Sequence, residues 1–115
     1  MKVLVFEDNL IWSSRLLQSL RGLGHEPVLM RQLEDTVPAA EVAIVNLGSA
    51  SMPVEALLPR LRDAGVYVIG HAGHKENPLL DRGREAGCDA VVSNSTITYK
   101  LESVLAEATS ARIPS

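Results

Sequence analysis

The sequence predicts a three-layer α/β fold built on one five-stranded parallel sheet. Short apolar runs alternate along the chain with segments of helical periodicity, and the third run, Val42–Val45, is apolar at every position. A short apolar run without alternation is typical of a central strand that is buried on both faces. Strands that alternate with helices need right-handed crossovers, and hence a parallel sheet. With five strands and five helices, we expect the flavodoxin-like strand order 2-1-3-4-5.

The first half of the chain supplies three of these strands. The predicted elements are, in order, strand Lys2–Phe6, a helix from about Leu10 to Leu23, strand His25–Met30, a two-turn helix within Gln32–Ala40, and a third strand ending at Asn46. Asp8 or Asn9 can cap the first helix, and Gly22 and Gly24 can end it. Pro27 suggests that the second strand lies at an edge, because proline cannot donate a hydrogen bond to a neighbouring strand.

The second half completes the pattern. Its predicted elements are helix Pro53–Ala64, strand Val66–Gly70, a helix over Lys75–Ala86, strand Asp89–Val92, and a last helix that ends near Ala108. Gly65 and Gly87 follow the two middle helices, as is typical of helix ends. Pro59 predicts a kink or a late start in the first of them. Asn94 or Ser95 is expected to cap the last helix.

Composition limits the class of protein. The 115 residues suit one domain, residues 1–115, with 111–115 expected as a frayed tail. A net charge of −3 gives no electrostatic reason to propose a nucleic-acid partner. The opening segment becomes acidic too early for a signal peptide, and no apolar run reaches the ~18 residues of a membrane span. One cysteine, Cys88, fits a reducing compartment. We therefore expect a cytoplasmic protein.

Polar residues stand where the predicted strands end. Glu7 and Asp8 follow the first strand, Asn46 ends the third, His71 follows the fourth, and Ser93 follows the fifth. In a doubly wound sheet, the ends of strands 1, 3 and 4 surround one crevice, which is the usual place for a site. Two carboxylates beside a third oxygen ligand suit Mg²⁺. The alternative is that the two carboxylates cap the first helix and face solvent.

Three short motifs resemble a known family. FEDN follows the first strand, VNL ends the third, and AGCDAVV lies near the fifth. From about Lys2 to Ala108 the chain resembles the receiver domain of two-component response regulators. The resemblance implies that an acidic pair and an aspartate ending strand 3 hold Mg²⁺, and that this aspartate takes a phosphoryl group in a phosphorelay. It also implies a switch made of a Ser or Thr after strand 4, an aromatic residue in strand 5, and a Lys after it.

This sequence keeps only the acidic pair of that set. Glu7 and Asp8 match the pair, Asn46 stands at the phosphoacceptor position, His71 at the Ser or Thr position, Ala90 at the switch aromatic, and Ser93 at the Lys position. An amide is a much poorer nucleophile than a carboxylate, so phosphorylation is not expected as the input. Loss of one carboxylate also predicts weak Mg²⁺ binding at best. Asn46 is expected instead to hydrogen-bond its neighbours and hold one conformation, unless its presence is neutral.

The sequence therefore predicts an atypical receiver, or pseudo-receiver, that is a signalling module and not an enzyme. No cofactor is required. It would bind a signalling protein or form a homodimer through the fourth predicted helix, the fifth strand and the last helix, with Ser95, Tyr99 and Glu102 on that face. The alternative is a small-ligand or metal-ion sensor that uses the crevice, with His71 and His74 as candidate transition-metal ligands. An enzyme would need a nucleophile with a nearby base, which the sequence does not show.

Overall fold

The predicted sheet is present, with the predicted strand order. A computed structural model describes residues 1–32 and 34–112. Its five strands are β1 (Lys2–Phe6), β2 (Glu26–Met30), β3 (Val42–Asn46), β4 (Tyr67–Ala72) and β5 (Ala90–Ser93). They are arranged β2-β1-β3-β4-β5, and every neighbouring pair is parallel. Val42–Val45 is fully buried at the centre, as its uninterrupted apolar pattern predicts.

Five helices cover the two faces of the sheet. They are α1 (Leu10–Gly22), α2 (Val54–Asp63), α3 (Asn77–Ala86), α4 (Asn94–Tyr99) and α5 (Leu101–Arg112). Buried residues of α2 and α3 pack with one face of the sheet, including Leu4 and Val45. Those of α1, α4 and α5 pack with the other face, including Val5 and Ile44. These two apolar layers are the core, which confirms the three-layer fold.

The number of helices matches the prediction, but two elements differ from it. Between β2 and β3, the described residues 31–32 and 34–41 form bends and irregular backbone and no two-turn helix. Pro38 lies in that segment and disfavours the helical conformation of the residue before it. The predicted last helix is divided at Lys100 into α4 and α5. The segment Thr96–Tyr99 is β-branched or aromatic at every position, so it has weak helix propensity.

The ends of several elements are set by specific hydrogen bonds. Asn9 caps α1, because its side chain accepts a hydrogen bond from the backbone N–H of Trp12 at 3.0 Å. The cap of α4 is Ser93 and not Asn94 or Ser95, since β5 runs one residue further than predicted and the helix follows at once. Gly87 ends α3 with a φ of 96°, in the left-handed region that favours glycine.

Two further boundaries correct the predictions. Strand β4 continues through His71 and Ala72, which were expected in a loop. Helix α5 includes Ala111 and Arg112, which were expected in a frayed tail, whereas residues 113–115 of that tail lie outside the described part of the chain. None of the helices in residues 1–32 and 34–112 has the length and apolarity needed to cross a membrane.

The sheet has two short outer strands. β2 pairs only with β1, and Pro27 lies opposite Val3 in that pairing. The backbone N–H of Glu26 donates to Met1 on the β1 side at 2.9 Å. Because successive residues of a strand point their N–H groups to opposite sides, the missing donor of Pro27 falls on the solvent side. β5, the other edge, has four residues.

Candidate functional site

A small cleft opens where β1, β3 and β4 end, at the position that the strand order predicts. It has a volume of about 130 Å³. Six residues line it: Glu7, Asn9, Trp12, Asn46, His71 and Asn94. They come from the β1–α1 segment, from the ends of β3 and β4, and from the start of α4. The topology therefore brings together the predicted Glu7, Asn46 and His71.

Asn46 is held by hydrogen bonds on both sides of its amide. Its Nδ2 donates to Oε1 and Oε2 of Glu7, at 3.0 and 2.8 Å, and its Oδ1 accepts from the N–H of Gly48 at 2.9 Å. The Glu7 side chain is 1% exposed, and its Oε1 also accepts from the N–H of Asn9 at 2.9 Å. Buried carboxylates need such donors. The expectation that Asn46 bonds to its neighbours is confirmed.

The second member of the acidic pair has a separate set of partners. Oδ2 of Asp8 accepts hydrogen bonds from the hydroxyls of Ser49 and Ser51, at 2.8 and 3.1 Å. These serines belong to the loop after β3, so Asp8 fixes that loop against the end of β1. Glu7 and Asp8 therefore bind different groups, the amide of Asn46 and two hydroxyls.

The donor set does not form the magnesium site that the resemblance implies. Mg²⁺ is bound through oxygen ligands in a near-octahedral arrangement. Here both oxygens of Glu7 accept from Asn46, and Oδ2 of Asp8 accepts from two hydroxyls. Across residues 1–32 and 34–112, no three His, Cys, Asp or Glu side chains are grouped so as to hold a metal ion. Weak Mg²⁺ binding at Glu7 and Asp8 stays a prediction.

His71 is buried, although its predicted place was an exposed loop. It is 2% exposed at the end of β4, and its ring stacks on the indole of Trp12 with a centroid distance of 4.6 Å and an interplanar angle of 19°. Its Nδ1 lies 2.7 Å from Oδ1 of Asn94, and its Nε2 is buried without a hydrogen-bond partner among the described residues. Burial lowers the pKa of His71 below its usual 6.5, against smaller opposing effects of Asn94 and of the Glu7 charge.

Two of the switch positions, Ala90 and Ser93, lie outside the cleft, whereas the third, His71, lines it. Ala90 begins β5 and is partly buried beside the α1–α5 layer. The hydroxyl of Ser93 is within 2.9 Å of Ser95 and 3.0 Å of Thr96, so it serves the cap of α4. His74, the other candidate metal ligand, is exposed, as was expected of the loop after β4.

The predicted partner residues divide between two helices. Ser95 and Tyr99 are exposed on α4, and Tyr99 is 83% exposed. Glu102 is exposed on α5, where it borders a cleft with Leu23 and His25 of the α1–β2 turn. Tyr99 is thus the most exposed large apolar side chain of this region, and Glu102 lies on the side of α5 that faces the α1–β2 turn.

Sequence reasoning gave three cleft residues, Asn9, Trp12 and Asn94, no role there. Trp12 is apolar and at helical spacing, so its pattern indicates ordinary packing, and its stacking on His71 is a contact across two elements. Asn94 was expected as a helix cap, but its Oδ1 accepts a hydrogen bond from Nδ1 of His71. A signal was available for Trp12: an aromatic residue three positions after a helix cap lies one turn above the carboxyl ends of the strands.

The strand order, the two helical layers and the cleft at the strand ends define a receiver-type α/β domain. Solved structures bear out this class. A two-component response regulator from Clostridium difficile has 12% identity and a TM-score of 0.81, with 100% of this chain and 99% of that chain covered. A response regulator from Thermotoga maritima has 14% identity and a TM-score of 0.74, with 95% and 97% covered.

A third structure agrees, a putative response regulator from Chloroflexus aurantiacus, at 18% identity and a TM-score of 0.71, with 91% of this chain and 97% of that chain covered. No model of a known protein family and no curated protein matches the sequence. At these identities the likeness shows the fold alone. The chain therefore has the receiver-domain fold, and its function is argued from its own residues.

Proposed function

We propose that this protein is a signalling module of the two-component type that works without phosphorylation and acts by binding another protein. Support comes from its fold, which is that of receiver domains, and from the chemistry at the end of β3. A second copy of the chain and a separate signalling protein are both suitable partners. The proposal includes no catalytic step.

One observation carries the proposal: the amide nitrogen of Asn46 donates to the carboxylate of Glu7 and lies within hydrogen-bond distance of both of its oxygens. The phosphoacceptor position thus presents a neutral amide whose nitrogen is already engaged at 3.0 and 2.8 Å. An amide nitrogen is a weak nucleophile because its lone pair is delocalised into the carbonyl group. An asparagine at this position therefore has two effects. It replaces the carboxylate that would accept a phosphoryl group, and its hydrogen bonds stabilise the buried carboxylate of Glu7 in the folded state.

Phosphorylation is tested directly by incubating the protein with acetyl phosphate or phosphoramidate and Mg²⁺, followed by intact mass measurement. We expect no mass increase for the native protein. Asn46→Asp is the matched comparison, since it restores a carboxylate at the same position. A phosphorylated native protein would refute the proposal, whether the group is found on Asn46, Asp8 or a serine.

The interaction part of the proposal rests on Tyr99. A tyrosine that is 83% exposed offers a large apolar surface and a hydroxyl, the combination that is enriched at interaction sites. It is the last residue of the short helix α4, whose first residue contacts His71. The exposed ring of Tyr99 therefore lies on the same helix as Asn94, a lining residue of the cleft.

Self-association is measured by sedimentation velocity over a range of protein concentrations, with and without Tyr99→Ser. If the partner is a second copy, we expect concentration-dependent dimers that Tyr99→Ser weakens by tenfold or more. Ile11→Ser is the control, because it removes a side chain that is 75% exposed on α1, outside the predicted partner face. If the protein stays monomeric, affinity capture with native and Tyr99→Ser baits tests a separate partner. Equal capture by both baits would exclude Tyr99 as the contact.

A further inference from the structure

The cleft has the chemistry of a small cation site. Its six lining residues are Glu7, Asn9, Trp12, Asn46, His71 and Asn94. A volume of about 130 Å³ is larger than a bare ion needs, since a water molecule takes about 30 Å³ of liquid. There is room for a group of about four non-hydrogen atoms.

The charge in the cleft is negative and has no cationic partner. Glu7 carries a carboxylate that is 1% exposed and accepts from neutral donors, the amide of Asn46 and the N–H of Asn9. In the described part of the chain, the ion pairs join Arg62 to Asp89, Arg82 to Glu55, and Arg84 to Asp81, all away from the cleft. A buried charge is normally paired. This charge favours a cation and disfavours phosphate or another anion.

The imidazole of His71 adds a buried acceptor. Oδ1 of Asn94 can only accept, so the hydrogen of His71 lies on Nδ1 and is donated across the 2.7 Å contact. Nε2 then keeps its lone pair. It is buried, and no described residue donates to it. A buried acceptor of this kind is costly unless a donor reaches it, which is an observation independent of the Glu7 charge.

We propose that the cleft binds an ammonium group, as the ammonium ion itself or as the terminus of a small primary amine. Such a group combines a positive charge for Glu7 with N–H donors for Nε2 of His71 and for the amide oxygens. The indole of Trp12 supplies an aromatic surface next to the site, and such surfaces favour cations. This proposal is independent of whether the protein binds a partner.

Metal ions fit this cleft less well. Zn²⁺ takes three or four protein ligands, and residues 1–32 and 34–112 contain no such grouping of His, Cys, Asp and Glu. Mg²⁺ prefers oxygen ligands and would leave the nitrogen of His71 unused. An ammonium group uses the carboxylate and the imidazole together, because both accept N–H hydrogen bonds.

The fluorescence of Trp12, the sole tryptophan of the chain, reports on the site directly. The protein is titrated with ammonium chloride and, separately, with ethylamine hydrochloride, at constant ionic strength and neutral pH. Potassium chloride is the matched control, since K⁺ has the charge and nearly the size of ammonium but no N–H donors. We expect saturable fluorescence changes with ammonium or ethylamine and none with K⁺. A response to ammonium alone identifies the free ion, and a tighter response to ethylamine identifies an organic amine.

Variants assign the response to residues. His71→Phe keeps a ring to stack on Trp12 but removes both nitrogens, and Glu7→Gln removes the charge. We expect each to weaken binding by at least about tenfold. His74→Phe, on the exposed loop nearby, should leave it unchanged. Amide NMR spectra of the native protein, which do not depend on any variant folding, should show shifts centred on the indole N–H of Trp12 and the side-chain amides of Asn46 and Asn94.

Several results would overturn the proposal. They are the lack of any saturable change, an equal response to K⁺, NMR shifts centred away from the cleft, and equal weakening by His71→Phe and His74→Phe. Saturable binding of Zn²⁺ or Mg²⁺ at the cleft without any response to ammonium or ethylamine would overturn it as well.

Discussion

Asn46→Asp changes the one contact that distinguishes this site, and its cost can be worked out. The substitution removes an amide that donates to both oxygens of a buried carboxylate, at 3.0 and 2.8 Å. It places a second carboxylate at hydrogen-bond distance from Glu7. Two like charges 4 Å apart repel by about 4 kcal/mol at an effective dielectric constant of about 20, and the repulsion is larger at shorter distances.

Protonation sets the upper limit of this cost. Keeping a carboxyl group protonated at pH 7, when its pKa in the unfolded chain is about 4, takes about 4 kcal/mol. We therefore expect Asn46→Asp to lower the free energy of unfolding by about 2–4 kcal/mol at pH 7. The folded variant then binds a proton that the unfolded chain releases. Its deficit should therefore shrink by up to about 1.4 kcal/mol for each pH unit towards pH 5.

Urea denaturation followed by circular dichroism, in EDTA and between pH 5 and pH 8, measures the effect. The double variant Asn46→Asp with Glu7→Gln exchanges the amide and the carboxylate across the same contact, and it should recover most of the lost stability. Asn77→Asp, at an exposed position on α3, is the control and should stay within about 0.5 kcal/mol of the native protein. An unaltered stability of Asn46→Asp at pH 7, or a double variant no more stable than the single one, would refute the reasoning.

Three further predictions concern other parts of the fold. Gly87→Ala should lower the free energy of unfolding by about 1–2 kcal/mol, measured by thermal or urea denaturation, because φ at this position is 96°. Gly22→Ala is the control: Gly22 lies in open space at a helix end, so its replacement should be neutral or stabilising. Burial lowers the pKa of His71 in the fold, so the unfolded chain binds a proton that the folded protein does not, and the free energy of unfolding in urea should fall as the pH drops below about 6.5. His71→Phe should flatten that decline, and His25→Gln controls for the other histidine with a lowered pKa. Burial raises the pKa of Cys88 to about 11. Alkylation of the native protein by iodoacetamide at pH 8 should therefore be at least 100-fold slower than alkylation of the urea-unfolded protein. Equal rates would contradict the burial of this thiol.

The strand order was predictable because each strand carries its own apolar pattern. The fully buried run Val42–Val45 identified the central strand, and its end placed Asn46 at the cleft. The ends of β4 and β5 were less certain from sequence. A polar residue such as His71 indicates a loop when read alone, yet here it continues the strand because Trp12 stacks on its ring. That contact joins residues 59 positions apart and leaves no local pattern.

The site was predictable in membership but not in geometry. Topology alone brings Glu7, Asn46 and His71 to one crevice. Topology does not predict that the amide nitrogen of Asn46 donates to both oxygens of Glu7, or that Asp8 accepts hydrogen bonds from two serines instead. Which partner each carboxylate binds depends on side-chain positions that differ by only a few ångströms. The sequence leaves several hydrogen-bond partners open for each carboxylate, and only packing decides among them.

The outer strands of the sheet restrict how copies of this protein can assemble. Strand addition between molecules needs a run of free N–H and C=O groups along an exposed edge. On the outer side of β2, Pro27 leaves a gap in the row of donors, and β5 offers four residues at the opposite edge. A continuous intermolecular sheet is therefore disfavoured at both ends. Association has to use helical surfaces, which limits it to discrete complexes and protects the exposed edges from fibrous aggregation.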